Sequence, residues 1–106
     1  MDVRGRVALV TGAGRRVGRA IAVALGAAGA RVGVHYNASA DGAEETARLI
    51  RGTGAQAETF SADLARADAA DELIAAVTGR FGALDVLVNS AAVMVRTPVG
   101  EVTAKQ

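Results

Sequence analysis

Short runs of apolar, mostly β-branched residues alternate four times with longer stretches of helical period. That alternation is the signature of βαβ units stacked on a parallel sheet, and it restricts the chain to the α/β class. The first run, Val7-Ala8-Leu9-Val10, leads through a glycine-bearing turn into a helix expected from about Arg16 to Ala28. Val17, Ala20, Ile21, Ala24 and Leu25 make its apolar stripe, and Gly29 is placed to end it. The second run is Arg31-Val32-Gly33-Val34-His35-Tyr36; the helix after it starts near Ser39 or Asp41, either of which could cap. Glu44 and Glu45 are expected in its first turn, at the positive end of the helix dipole, and Gly52 and Gly54 close it. The third run spans Ala57 to Ser61 and ends at Asp63-Leu64, and a helix follows from Asp68 to Phe81, with Gly82 as its stop. Leu84-Asp85-Val86-Leu87-Val88 is nearly all apolar, as a strand buried on both faces would be, and it runs into Asn89-Ser90-Ala91-Ala92.

The first run delivers Thr11-Gly12-Ala13-Gly14-Arg15-Arg16-Val17-Gly18 directly into a helix. This is the setting a dinucleotide fingerprint requires. Backbone N–H groups and the helix N-terminus must be aimed at a pyrophosphate with no side chain in the way, and Gly12 and Gly14 are expected to supply that turn. Gly18, one turn into the helix, would let the helix lie close to the sheet. The plainer alternative is a glycine-rich strand-to-helix turn with no ligand.

These residues resemble the short-chain dehydrogenase/reductase family, whose pattern after the first strand is Thr-Gly-x-x-x-Gly-x-Gly. Thr11, Gly12 and Gly18 match in place, while Arg16 stands where the family has its middle glycine. The same replacement occurs in members similar to pteridine reductases. The resemblance covers essentially the whole chain. It implies a three-layer Rossmann-type α/β fold with a parallel sheet of strand order 3-2-1-4, of which residues 1–106 would be the N-terminal, cofactor-binding part, truncated after the fourth strand.

A cofactor with both ribose hydroxyls free is usually held by an acidic side chain at the end of the second strand. Here residues 31 to 40 carry none, and Asp41 arrives only at the next helix. Asn37, Ser39 and the guanidinium of Arg15 or Arg16 could instead take the charge of a 2′-phosphate, so NADP(H) is preferred over NAD(H). The alternative is that these arginines are ordinary surface charges, and for Arg19 that alternative is favoured. His35, the only histidine, sits within the second run with no catalytic or metal-binding partner at a recognisable spacing, and a packed strand histidine is expected.

By resemblance, Asp63 with Leu64 would meet the adenine amine, Val17 would lie in the cofactor-binding turn, and Asn89 and Ala91 match the family's Asn-Asn-Ala-Gly beside the nicotinamide ribose. Asp63 reads equally well as a helix cap or loop acid, and Ser90 and Ala92 depart from the family segment. The family transfers hydride between nicotinamide and a carbonyl or alcohol. It uses a Tyr acid/base, a Lys four residues later and a Ser, because a phenol with pKa about 10 needs a neighbouring cation to act near neutrality. The only tyrosine here is Tyr36, residue 40 is Ala, and the only lysine is Lys105, so no catalytic residue is assigned and the chain alone is expected to be inactive.

Charge narrows the partners little. Twelve basic residues nearly balance eleven acidic ones and are interspersed, which gives no footprint for nucleic acid or an anionic membrane. No cysteine is present, which closes thiolate-metal, cysteine-nucleophile and disulfide readings and fits a cytoplasmic protein. Met1 to Arg6 runs straight into the first apolar run, so no signal peptide or membrane span is expected. The expected partner is a dinucleotide, with a small-molecule substrate only in a complete protein. Self-association through an exposed fourth strand is expected as well. A non-catalytic dinucleotide-binding module, or one completed by a partner segment, stays open, whereas a methyltransferase half is disfavoured by the Asn89-Ser90-Ala91 segment.

Overall fold

The computed structural model describes residues 2–14 and 16–90. The elements follow as β1 (Val7–Thr11), α1 (Arg16–Ala27), β2 (Arg31–Tyr36), α2 (Ala40–Gly52), β3 (Ala57–Ser61), α3 (Ala69–Phe81) and β4 (Val86–Asn89). All strand pairs are parallel, in the order β3-β2-β1-β4. Sheet order and class agree with the expectation above, and the fold is a Rossmann-like α/β fold.

The period-two alternation of side chains divides β1 between two cores. Ala8 and Val10, with Val32 and Val34 of β2, face α1 and α2 and pack with Ala22, Ala43, Ala47 and Ile50. Val7 and Leu9 face the other way, against Leu73, Val77 and Phe81 of α3. Helices therefore cover both faces of the sheet, and β1 is buried along its whole length. Leu9 is fully buried between β1 and α3, so Leu9→Ala is expected to cost about 2–5 kcal/mol, read as a lower urea midpoint with an unchanged slope.

Three expectations need correction. The face of α1 that is buried is Gly18, Ala22 and Gly26, with Ile21 and Leu25 only partly covered. Val17 is 58% exposed, and Ala20 and Ala24 are exposed too. The stripe of small residues wins because α1 lies too close to its neighbours for larger ones: a Cβ on Gly26 would come within 2.6 Å of Ile50 Cγ2 in α2.

At α2, Ser39 is the N-cap residue but its side chain makes no capping hydrogen bond, and the acid in the first turn is Asp41. Glu44 and Glu45 fall one turn later. Glu44 accepts a hydrogen bond from Thr59 Oγ1 of β3, while Arg48 pairs with Glu45 and holds its carboxyl below the ordinary glutamate range.

The third correction concerns β4, which begins at Val86 rather than Leu84. Asp85 precedes it as a staple: its carboxylate accepts the Val7 N–H at 2.9 Å and its own N–H donates to the Val7 carbonyl at 2.9 Å. Nor is β4 buried on both faces, since Leu87 is 54% exposed on what is, among the described residues, an edge strand. Among these residues no helix is long and apolar enough to cross a membrane.

Candidate cofactor-binding site

Parallel register brings the carboxyl ends of the strands to one rim. Thr11 is level with Asn89 across β1 and β4, and Tyr36 with Ser61 across β2 and β3. The crevice at this rim, where the chain order reverses between β1 and β4, is where open α/β sheets bind ligands.

The glycine turn forms there. Gly12 has φ of 64°, a left-handed conformation open to glycine at no steric cost, and this reverses the chain immediately after β1. Gly18 permits a close approach: a Cβ there would lie 2.1 Å from the Gly12 carbonyl oxygen and 2.7 Å from Ser90 Oγ. Gly14 lies in the same turn, as expected. It lacks the left-handed backbone, and it is buried against the start of α2, where a Cβ on Gly42 would come within 2.6 Å of the Gly14 carbonyl oxygen.

Arg16 keeps the left-handed backbone of the glycine it replaces, with φ of 57°. For an L residue this costs about 1–2 kcal/mol. The expense is local, and the Arg16 side chain is free to face solvent from the mouth of the turn, where the residue is exposed. Arg15 lies outside the described residues, as does Ala91.

Arg19 is no surface charge. Its guanidinium donates to the Gly14 carbonyl at 2.8 Å, the Gly42 carbonyl at 3.0 Å and Thr46 Oγ1 at 2.9 Å, tying α1, the glycine turn and the first turns of α2 together. The loop of Asn37 to Ser39 is thereby fixed beside the turn, with the Ser39 carbonyl 3.5 Å from the Cβ position of Gly14, and both Asn37 and Ser39 are exposed.

On the β4 side, Thr11 Oγ1 donates to Asn89 Oδ1 at 3.0 Å, and Ser90 Oγ donates to the Thr11 carbonyl at 2.7 Å. Asn89 thus holds the end of β1, and Ser90, a departure from the family segment, is a buried strut of the same join. Beyond β3, Asp63 is exposed and its Oδ1 accepts the Ala65 N–H at 3.0 Å, the loop-acid arrangement. Leu64 is partly buried against the α3-side core rather than standing in the crevice.

The family model described as short chain dehydrogenase matches residues 6–106. The chain belongs to the short chain dehydrogenase family. A short-chain dehydrogenase/reductase homologue of Bacillus subtilis, YusS, is 36% identical over 104 residues, which cover 98% of this chain and 95% of that protein. Versicolorin reductase 1 of Aspergillus parasiticus is 40% identical over 102 residues, 96% of this chain but only 39% of the reductase. Among solved structures, a dehydrogenase-like protein of Burkholderia cenocepacia with bound NADP superposes with a TM-score of 0.80 at 41% identity, over 83% of this chain and 34% of its own. The landomycin C-6 ketoreductase LanV, with bound NADP and rabelomycin, gives 0.73 at 44% identity, over 81% of this chain and 38% of its own. The chain therefore spans about two-fifths of the length of the fungal reductase and nearly all of the Bacillus homologue.

Membership in this family accounts for the glycine turn, the strand order and the Thr11–Asn89 join as a dinucleotide-binding portion of an oxidoreductase. Sequence reasoning missed Arg19, Gly42 and Ser90. A signal for Gly42 was present, since a glycine in the first turn of a helix invites the question of what lies against it.

Proposed function

We propose that this chain binds NADP(H) in preference to NAD(H) and is the cofactor-binding portion of an oxidoreductase, residues 1–106 being the N-terminal part of its nucleotide-binding domain. The observation that carries this reading is the end of β2. Asn37 and Ser39 are exposed just beyond β2, where a carboxylate would select a free ribose, with the Ser39 carbonyl beside Gly14, and exposed Arg16 stands in the glycine turn. The NADP bound to the Burkholderia cenocepacia protein and to LanV supports it.

The residues present fit such a group. Gly12 and Gly18 remove side chains from the turn, and α1 begins at Arg16, so the amides of its first turn have no acceptor inside the helix and suit a pyrophosphate. Gly14 and Val17 would line that approach, with Arg15 and Arg16 supplying charge to a 2′-phosphate and Asn37 and Ser39 hydrogen bonds. Asp63 has carboxylate capacity left beyond the Ala65 amide with which to accept an adenine amine, with Leu64 as its apolar neighbour. Asn89 and Ala91 would border the nicotinamide-side ribose. When bound, the nicotinamide supplies hydride exchange with a carbonyl or alcohol. This sequence contributes no Tyr-x-x-x-Lys to that step, so its own role is to bind and orient.

Replacing Arg16 by Glu tests the preference. Arg16→Glu is expected to weaken NADPH binding at least about tenfold through like-charge repulsion while changing NADH binding by less than about twofold, as read by calorimetry. Equal losses for both cofactors remove the reason for preferring NADP(H).

A second reading, a binding module completed by another segment or a second copy, is favoured by the exposed Leu87 on edge strand β4.

A further inference from the structure

The cofactor reading above gives no task to His35. It lies on β2, the strand between β1 and β3, and is 2% exposed. Its Nδ1 receives the Gly12 N–H at 3.0 Å, and its Nε2 stands 2.9 Å from the Ala62 carbonyl oxygen. A backbone N–H can only donate and a carbonyl can only accept, so the partners fix the tautomer: Nδ1 bare, the proton on Nε2. The backbone carbonyl of the same residue accepts the Ala13 N–H at 2.9 Å. Two successive amides of the glycine turn are thus held by one residue of the neighbouring strand, while the far side of the same imidazole holds the loop that carries Asp63.

We propose that His35 is a positioning residue for dinucleotide binding, which as its Nε2–H tautomer locks the glycine turn at Gly12 to the adenine-side loop at Ala62. The proposal rests on the cofactor reading above and adds to it a part in which the imidazole touches no ligand. Gly12 takes the left-handed backbone that reverses the chain directly after β1, so fixing its amide fixes where the following amides point. The second bond, together with the Ala62 N–H donated to the Tyr36 carbonyl at 3.1 Å, sets how far the Asp63 loop stands from that turn, and hence the separation of the pyrophosphate and adenine ends of the site.

Two substitutions separate the bonds. In His35→Asn the amide oxygen can occupy the place of Nδ1 and still accept from Gly12, while the Ala62 carbonyl loses its side-chain donor and Ala62 stays tied only through its N–H to the Tyr36 carbonyl. In His35→Gln the amide N–H can occupy the place of Nε2 and donate to Ala62, while Gly12 loses its acceptor. The test measures hydrogen exchange of the Gly12 amide in the cofactor-free chain, NADPH affinity by calorimetry and thermal midpoints for both variants. The imidazole nitrogen NMR shifts of the unaltered chain are read alongside.

Gly12 exchange is expected to stay protected in the Asn variant and to speed up at least about tenfold in the Gln variant, with NADPH affinity falling at least about tenfold in Gln and less than about threefold in Asn at similar thermal midpoints. A spectrum of the unaltered chain showing the proton on Nδ1 overturns the proposal, even should neither variant fold. So do equal losses of affinity in the two variants, or Gly12 protection unchanged in the Gln variant. If the unaltered chain binds no NADPH while the exchange pattern is as expected, the cofactor reading fails and the lock between the two loops stands.

Discussion

Gly18→Ala is expected to destabilise the chain by more than about 3 kcal/mol, although alanine is the better helix former. An alanine Cβ at this position meets the Gly12 carbonyl oxygen at 2.1 Å and Ser90 Oγ at 2.7 Å. The first obstacle is backbone and cannot rotate away, so α1 must lift from the rim or the glycine turn must open. Either movement disturbs the site along with the stability. Gly79 of α3 provides the contrast: it is also inside a helix, but a Cβ there meets nothing within 4 Å. Gly79→Ala should therefore gain about 0.5–1 kcal/mol. Thermal melts of the two variants should move in opposite directions, downward by more than about 12 °C for Gly18→Ala and upward by a few degrees for Gly79→Ala, since 1 kcal/mol corresponds to about 4–8 °C in a domain of this size. Loss of stability in both, or in neither, would mean that close approach at the rim is not what selects glycine at Gly18.

Arg19→Met should cost about 2–4 kcal/mol and weaken dinucleotide binding with it. Methionine keeps most of the stem and its packing but removes the donors that reach Gly14, Gly42 and Thr46. The Gly42 carbonyl keeps the bond from Thr46 Oγ1 at 3.0 Å, and for that reason the loss is not larger. Lysine should rescue little, because a single ammonium cannot span three acceptors held by a planar fork. Urea denaturation gives the stability change. A Lys variant as stable as the parent would show that charge alone, and not the fork, joins α1 to α2.

These effects also mark where the sequence was legible and where it was not. Strands whose burial follows from apolar runs could be read directly: β3 occupies Ala57–Ser61, as the run predicts, and β1 extends the expected run by Thr11 alone. Position β4 was harder, because Leu84 is as apolar as any strand residue and only the tertiary pairing of Asp85 with Val7 ends the approach segment before Val86. The buried face of α1 was misread for a related reason. Side-chain size indicates how much apolar surface a residue can bury, but at the closest helix contacts the absence of a side chain decides, and Gly18 and Gly26 carry no hydrophobic signal.

Within the candidate site, the glycine turn was legible because it depends on a local pattern, and Asn89 was singled out by its resemblance to the family segment although its Thr11 partner lies 78 residues away. The bonds of Arg19, Ser90 and His35 were not, although His35 is packed within its strand as expected. Apart from Gly14, five residues before Arg19, their partners lie 23 to 79 residues away in the chain, and nothing in the local sequence distinguishes an arginine that bridges two helices from one in water.

The most direct measurement is calorimetric titration of the 106-residue chain with NADPH and with NADH, with light scattering on the same sample to establish its oligomeric state. Saturable binding of both, at least about tenfold tighter for NADPH, is the predicted result. A folded sample that binds neither, or that binds NADH as tightly as NADPH, would contradict the assignment of the glycine turn and the end of β2 as an NADP(H) site.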